Sequence, residues 1–321
     1  MWNFIHNWRE LRQRGVLGIN RRNAEYLLPL NHRQDYPLVD NKLKTKQLAS
    51  AAGVAVPKLL GVVQVQQQVR RLPSFLDRFS DFVVKPACGS GGNGIVVCSG
   101  RSPAGYHKIG GAILAPDAIC EHAYDILAGM HSLGGMPDVA LIEERVEFDT
   151  VFAPVTYQGV PDIRVIILHG VPVMAMLRLP TRESNGKANL HQGAIGAGLN
   201  LATGCTMTAV WHGRIIASHP DTGQAVSGLQ VPHWDEILGI ASRCGSLCGL
   251  GYLGADLVLD RHRGPLLLEL NARPGLGIQL ANRAPLLPRL RLIKKTPSLA
   301  HFTPTDKIRF AKDHFGGPAT T

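Results

Sequence analysis

Four glycines fall within six residues, Gly89-Ser90-Gly91-Gly92-Asn93-Gly94, and the residues just after them decide which folds are open to the chain. By letter the segment matches the G-x-G-x-x-G of a dinucleotide-binding turn, which must open a helix so that the pyrophosphate meets the helix N-terminus. Here Ile95-Val96-Val97 comes next, a β-branched run that favours a strand. A Walker A loop fails too, because Ile95 and Val96 stand where Lys and Ser/Thr are required. The segment reads as strand, glycine-rich loop, strand, with Lys85 ending the first strand. Such a loop can lie over a triphosphate with its backbone N–H groups exposed while the lysine meets the phosphate charge. A flexible hairpin tip is the plainer reading. Ordering so many glycines costs conformational entropy that a simple turn would avoid.

A second pattern lies near the C-terminal end. Two apolar runs flank Asp260-Arg261-His262-Arg263-Gly264 and read as an antiparallel pair. If the pair is centred between His262 and Arg263, Asp256 falls opposite Glu269, and Asn271 shares the face of Glu269. Facing carboxylates are unfavourable unless a cation or a shared proton sits between them. Two carboxylates and an amide oxygen are hard donors suited to Mg²⁺ bound together with substrate phosphates. An exposed acidic edge is the alternative, which Leu266-Leu267-Leu268 and Leu270 argue against.

The rest of the chain sets the frame. The 321 residues suffice for a substantial core, and 45% hydrophobic content with 18% charge excludes a disordered chain. Strands are expected over residues 59–65, 82–86, 95–98, 139–142, 163–168, 173–179, 206–210, 214–217, 255–259 and 265–270. Helices are expected over residues 4–14, 42–52, 116–130 and 234–248, with Asp40 capping the second and Leu43, Gln47, Leu48 and Ala51 at helical spacing within it. Strands and helices mix without regular alternation, so the class is α+β with a sheet in each half. We read residues 1–39 as a helical arm, 40–288 as the functional domain (lobes about 40–145 and 146–288), and 289–321 as a basic tail.

Six cysteines without a C-x-x-C pair are expected to stay reduced, and Cys244 and Cys248 to pack as core. The net charge of +10 gathers at the two ends, without the aromatic interleaving of a nucleic-acid surface. No apolar run is long enough for a membrane span, and Met1-Trp2-Asn3-Phe4-Ile5-His6 does not read as a secretory signal. A cytoplasmic protein without a membrane partner is expected, its basic ends solvated and self-association left open.

Together these features resemble an ATP-grasp enzyme, most closely the α-L-glutamate ligases and glutamate-ligase-like proteins. Four segments carry the resemblance: Asp40-Asn41-Lys42-Leu43 with the helix after it; Val83-Val84-Lys85 with the glycine loop; Ala188-Asn189-Leu190-His191-Gln192-Gly193; and Gly254-Ala255-Asp256 with Glu269-Leu270-Asn271-Ala272-Arg273-Pro274-Gly275. It spans about residues 40–283. It implies an ATP-grasp fold, two α+β lobes holding ATP. Lys42, Lys85 and the loop (Gly89, Ser90, Gly91, Gly92, Gly94) would meet the phosphates, and Glu143, Glu144 and Val146 would form the hinge at the adenine. Asp162 would reach the ribose, and Asn189 would join the nucleotide site beside Lys187, which stands where the ribosomal ligases have an arginine. Asp256, Glu269 and Asn271 would hold two Mg²⁺ ions, with Mn²⁺ as a substitute and Glu269 bridging. Lys187, Arg164 and Arg273 would act at the reacting centre, with Arg178 and Arg182 aimed at the same cleft.

The implied activity is an ATP- and Mg²⁺-dependent carboxylate–amine ligase. It would join a glutamate-like amino acid to a carboxylate or peptide through an acyl phosphate, releasing ADP and phosphate. A kinase of the same fold, or a nucleotide-binding regulatory module working with a partner protein, are the rival readings. Two stretches depart from the pattern: the long connection between Val146 and Asp162, and residues 201–231, which look inserted. The stretch 181–193, with Gly186 and Gly193 as pivots, reads as a mobile loop closing over a charged ligand.

Overall fold

Two antiparallel sheets organise the computed structural model, which describes residues 9–89, 91–109 and 111–317. The first contains β1 (Leu59–Val63), β2 (Asp81–Pro86), β3 (Val96–Ser102), β4 (Gly105–Lys108), β5 (Ile113–Leu114) and β6 (Ala140–Glu143), in the order β1-β6-β2-β3-β4-β5. The second contains β7 (Asp162–Leu168), β8 (Val171–Leu179), β9 (Ile195–Leu199), β10 (Thr206–Trp211), β11 (Arg214–Ile216), β12 (Tyr252–Asp260) and β13 (Gly264–Asn271), in the order β11-β10-β9-β8-β7-β12-β13. The β7–β8 turn at His169-Gly170 and the β10–β11 turn at His212-Gly213 both use positive φ at each central residue, the twist that suits a tight hairpin.

Helix α1 (Lys42–Ala51) is capped by Asn41, whose side chain accepts from the backbone N–H groups of Leu43 at 3.0 Å and Lys44 at 3.1 Å. Asp40, the expected cap, instead ends the preceding helical turn and takes a hydrogen bond from Arg273 at 2.9 Å. The buried residues of α1 are Thr45, Lys46 and Ala49, while Leu43 and Leu48 are half-buried. The reason is position. The helix is wedged between the lobes, touching β13 on one side while Lys42 N–H donates to Ala87 O on the other. Ala49 and Val54 belong to the core of the second sheet.

Helix α2 (Pro116–Leu127) covers the first sheet with Ile119, Ala123 and Ile126. Helix α3 (Trp234–Cys248) covers the second and buries both Cys244 and Cys248 as free thiols, with burial pushing the Cys244 thiol well above its ordinary value. Helices α4 (Ile278–Asn282), α5 (Leu287–Lys294) and α6 (Pro304–Phe315) come after β13. The stretch read as a basic tail is largely helical, and Leu290, Ile293, Leu299, Ala311 and Phe315 enter the main core. Each large apolar side chain so buried contributes roughly 1.5–3 kcal/mol. The N-terminal arm joins the same core through Leu17, Tyr26 and Leu27, and the part of it before residue 9 lies outside the described residues.

Candidate active site

The ladder β12–β13 pairs Asp256 with Glu269 and Gly254 with Asn271, as the period-two reading requires. The turn itself is one residue tighter than expected, pairing Asp260 with Gly264. A bulge between Asp256 and Leu257, which leaves Leu268 unpaired, restores the register. Asp256 is buried and already heavily engaged. Arg164, its partner across the β12–β7 ladder, donates Nε to Oδ1 at 2.6 Å and a second guanidinium nitrogen to Oδ2. Arg178 donates to Oδ2 at 2.8 Å and Asn271 Nδ2 to the same oxygen at 3.1 Å. Arg178 also grips both oxygens of Asp162, its partner in the β7–β8 ladder.

Burial opposes ionisation of Asp256, but Arg164 and Arg178 outweigh it and hold the carboxyl far below its ordinary value. Asp162 shifts the other way, raised by burial and by the charge of Asp256 against the pull of Arg178. Asp162 was expected at a ribose; both its oxygens are taken by Arg178 because the ladder sets them face to face.

The second cluster belongs to the first lobe. Lys85 pairs with Leu141, two residues from Glu143, so Lys85 and Glu143 share one face diagonally, and Lys85 Nζ lies 2.7 Å from Glu143 Oε2. Lys46, one turn after Lys42 on α1, brings Nζ to 3.2 Å from Glu143 Oε1 and donates to Pro57 O. Burial draws the Lys46 ammonium down to about 8, Glu143 resisting and Lys85 adding to the fall. Glu143 was expected at the adenine hinge; the residue is only 2% exposed and its carboxylate serves two lysines. Of the other hinge residues, Glu144 gives its N–H to Lys58 O and its carboxylate to Arg263 at 2.6 Å, while Val146 packs with Val258 and Leu266.

Between the clusters, Lys42 Nζ donates to Gly89 O and lies 3.3 Å from Glu269 Oε2. Arg273 is held at the margin, bonded to Asp40 and stacked on the Tyr36 ring at 4.9 Å.

The glycine loop lies under the 181–193 stretch. Gly91, Gly92 and Gly94 all take positive φ. Gln192 Nε2 donates to Gly91 O at 3.0 Å, and a Cβ placed on Gly92 would sit 3.4 Å from Lys187 Cδ. Asn189 turns its Nδ2 toward Gly91 while its Oδ1 accepts from His191 N–H. Ser90 lies outside the described residues. At the root of the loop, His131 fills the space beside Gly94, where a Cβ would come within 2.5 Å of its ring, and His122 Nε2 meets Gly94 O at 2.9 Å.

The 181–193 stretch is braced where pivots were expected. A Cβ on Gly186 would meet Gln158 O at 1.8 Å, so the long connection before β7 crosses it in backbone contact. Thr181 Oγ1 and Trp211 Nε1 both donate to Gly193 O at 2.8 Å. Arg182 N–H donates to Asp221 Oδ2 at 2.7 Å, and its guanidinium lies over Tyr157 at 5.3 Å. His219, 1% exposed, donates Nε2–H to Pro180 O at 3.0 Å and accepts Asp221 N–H on Nδ1 at 3.2 Å. The stretch that looked inserted is thus the brace beneath the loop.

Sequence reasoning missed Lys46, His122, His131 and His219. Lys46 alone carried a signal, the four-residue step from Lys42 that sets both on one side of a helix.

Among the described residues no three His, Cys, Asp or Glu side chains gather as a metal site. Paired carboxylates with an adjacent amide oxygen nonetheless fit a hard dication in chemistry. Glu269 and Asn271 stand at the open side. Asp256 would reach an ion only by giving up a guanidinium contact.

Comparison with known proteins supplies the family. No curated protein matches the chain. Among solved structures, the ATP-grasp ligase PsnB in complex with a minimal precursor is 17% identical over 83% of this chain and 62% of its own, with a TM-score of 0.43. The D-cycloserine synthetase DcsG is 17% identical over 83% of this chain and 71% of its own, TM-score 0.43. The D-alanine–D-alanine ligase of Bacillus anthracis in complex with ATP is 13% identical over 88% and 66%, TM-score 0.41. The chain thus spans less than two thirds of the length of PsnB. The family description "sugar-transfer associated ATP-grasp" matches residues 21–295, most of the sequence and both sheets. The fold is ATP-grasp, and the chain belongs to the sugar-transfer associated ATP-grasp family.

Proposed function

We propose that the protein is an ATP- and Mg²⁺-dependent carboxylate–amine ligase working through an acyl phosphate. The observation that carries this reading is the surplus of positive charge at and beside the glycine loop. Lys46 on α1 and Lys85 on β2 share one carboxylate, while Lys42, one turn earlier on α1, and Lys187 reach the glycine loop. A polyanion is the ligand that balances such a set, and phosphoryl transfer asks of a protein mainly positioning and charge neutralisation.

ATP would lie with its phosphates under residues 89–94, against Lys42, Lys85 and Lys46, and its adenine at the backbone beside Glu144 and Val146. Glu269 and Asn271, backed by Asp256, would hold Mg²⁺, which when bound offsets charge on the phosphates. Lys187 and Asn189 would close over the transferred phosphoryl group. Arg164 and Arg273 would bind the acid being activated, each by giving up its present carboxylate partner, Asp256 and Asp40. In balance, the acid's oxygen attacks the γ-phosphorus and ADP leaves. The amine then attacks the acyl carbon, and phosphate leaves with the amide formed. The acid or the amine is carried by a sugar or meets one, in keeping with the family description; a glutamate-like amino acid remains the amine suggested by the ligase motifs.

The test is incubation with ATP, Mg²⁺ and pools of amino acids and sugar acids, with mass spectrometry of products and nucleotides in parallel. ADP and phosphate with a mass gain matching an amide are expected. AMP and pyrophosphate, or a phosphorylated product without amide, would reject the reading.

A further inference from the structure

The two basic ends, far apart in sequence, form one face. Leu287 N–H donates to Gly15 O at 3.2 Å, Gly15 packs on Pro288, and Lys294 Nζ donates to Glu25 O at 2.9 Å while lying 4.4 Å over the Tyr26 ring. Residues 9–33 and 287–295 together hold ten lysines and arginines against two glutamates, a net of eight out of the chain's +10. Arg22 and Arg289 turn inward, to Pro274 O and Val173 O. Arg9, Arg14, Arg291, Lys294 and Lys295 are exposed.

Exposed apolar side chains lie among these charges. Leu11 is 50% exposed, Ile19 62% and Leu28 68%. Residues 19–30 run as helix with Tyr26 and Leu27 buried, so Ala24 and Leu28 stand on the outer side one turn apart.

We propose that this face seats the protein on an anionic lipid surface, the basic side chains at the headgroups and Leu11, Ile19 and Leu28 in the interfacial layer. Interleaved cations and apolar side chains are what such a surface selects. A second copy would bring the same positive charge and be repelled. A nucleic acid would leave the leucines unused, and Tyr26 is capped by Lys294. No described helix is long and apolar enough to cross a membrane, so the attachment is adsorption.

The test sediments the full chain with phosphatidylcholine vesicles, with and without phosphatidylglycerol. Binding to the mixed vesicles alone, weakening as salt rises, is expected. The double variant Arg291→Glu, Lys295→Glu should lose at least about 25-fold, at roughly fivefold per cation. Ile19→Asn with Leu28→Ser should weaken binding without changing its salt dependence. Unchanged thermal melting of each variant reports that it is folded. No retention on anionic vesicles, or equal retention by wild type and both variants, would overturn the proposal. So would a stable dimer that the same variants dissolve.

Discussion

Each lobe buries one charge cluster, and the two are built in opposite ways. In the first lobe a single carboxylate, Glu143, lies between two ammonium groups, Lys46 and Lys85. In the second a single guanidinium, Arg178, lies between two carboxylates, Asp162 and Asp256, with Arg164 completing the balance. The first set carries a surplus cation and is incomplete without an anion. The second is neutral and complete. One is arranged to receive charge and the other to hold the sheet in register, although a sequence reading assigns residues of both to a single site.

The largest effect should come from Arg178→Met. It leaves two carboxylates in a buried site with one remaining cation, and breaking such a network costs about 3–5 kcal/mol. Thermal melting and urea unfolding would register this as a large loss of stability. A variant as stable as wild type would mean the two clusters do not differ in kind.

How much of this was legible depends on how far each partner lies in sequence. The Asp256–Glu269 pairing comes from period two and a short turn, and survives a turn misjudged by one residue because the bulge at Leu268 compensates. Arg164 opposite Asp256 joins strands 92 residues apart, and no local pattern announces it. Lys46 looks like a solvated helix lysine until Glu143 is brought to it. The C-terminal helices were partly readable, since Leu287, Leu290 and Ile293 recur at helical spacing. The basic residues between them mask that spacing with charge. The long connection before β7 and residues 201–231, which the sequence shows only as departures from the glutamate-ligase pattern, both brace the loop between them.

A middle-sized effect is expected at that brace. His219→Ala leaves Pro180 O and Asp221 N–H without their partner under the 181–193 loop, a loss of about 1–3 kcal/mol for buried groups. Trypsin should then cut after Arg182 and Lys187 much faster than in wild type. His219→Asn, which keeps an acceptor for Asp221 N–H, should recover part of the protection. Equal cleavage rates would show that the loop is held by Gly186 and Thr181 alone.

Glu269→Ala should matter little for stability and greatly for turnover. Its pair with Lys42 is partly exposed, with 32% of the glutamate side chain accessible, and such pairs contribute about 0–1 kcal/mol. If the proposed metal role holds, product formation should vanish at any Mg²⁺ concentration while the melting temperature barely moves. A large drop in melting temperature would place Glu269 with the structural cluster.

The smallest change in stability should come from Lys46→Met, because Glu143 keeps Lys85 at 2.7 Å and is not stranded. The informative quantity is the proton. Lys46 titrates near 8 in the folded protein, against about 10.4 when unfolded. A lowered lysine favours the folded state fully above its unfolded value, and that contribution is lost as pH falls through the folded one. Wild type should therefore gain stability relative to Lys46→Met as pH is raised from 7 to 10. Phosphates arriving beside Lys46 would restore its proton, so ATP binding near pH 8 should take up roughly half a proton from buffer. Calorimetry in two buffers of different ionisation enthalpy measures this uptake directly. Uptake that is present in wild type and absent in Lys46→Met would tie the surplus cation to the nucleotide. Uptake equal in both would mean that another group supplies it and that the first cluster, like the second, is only holding its lobe together.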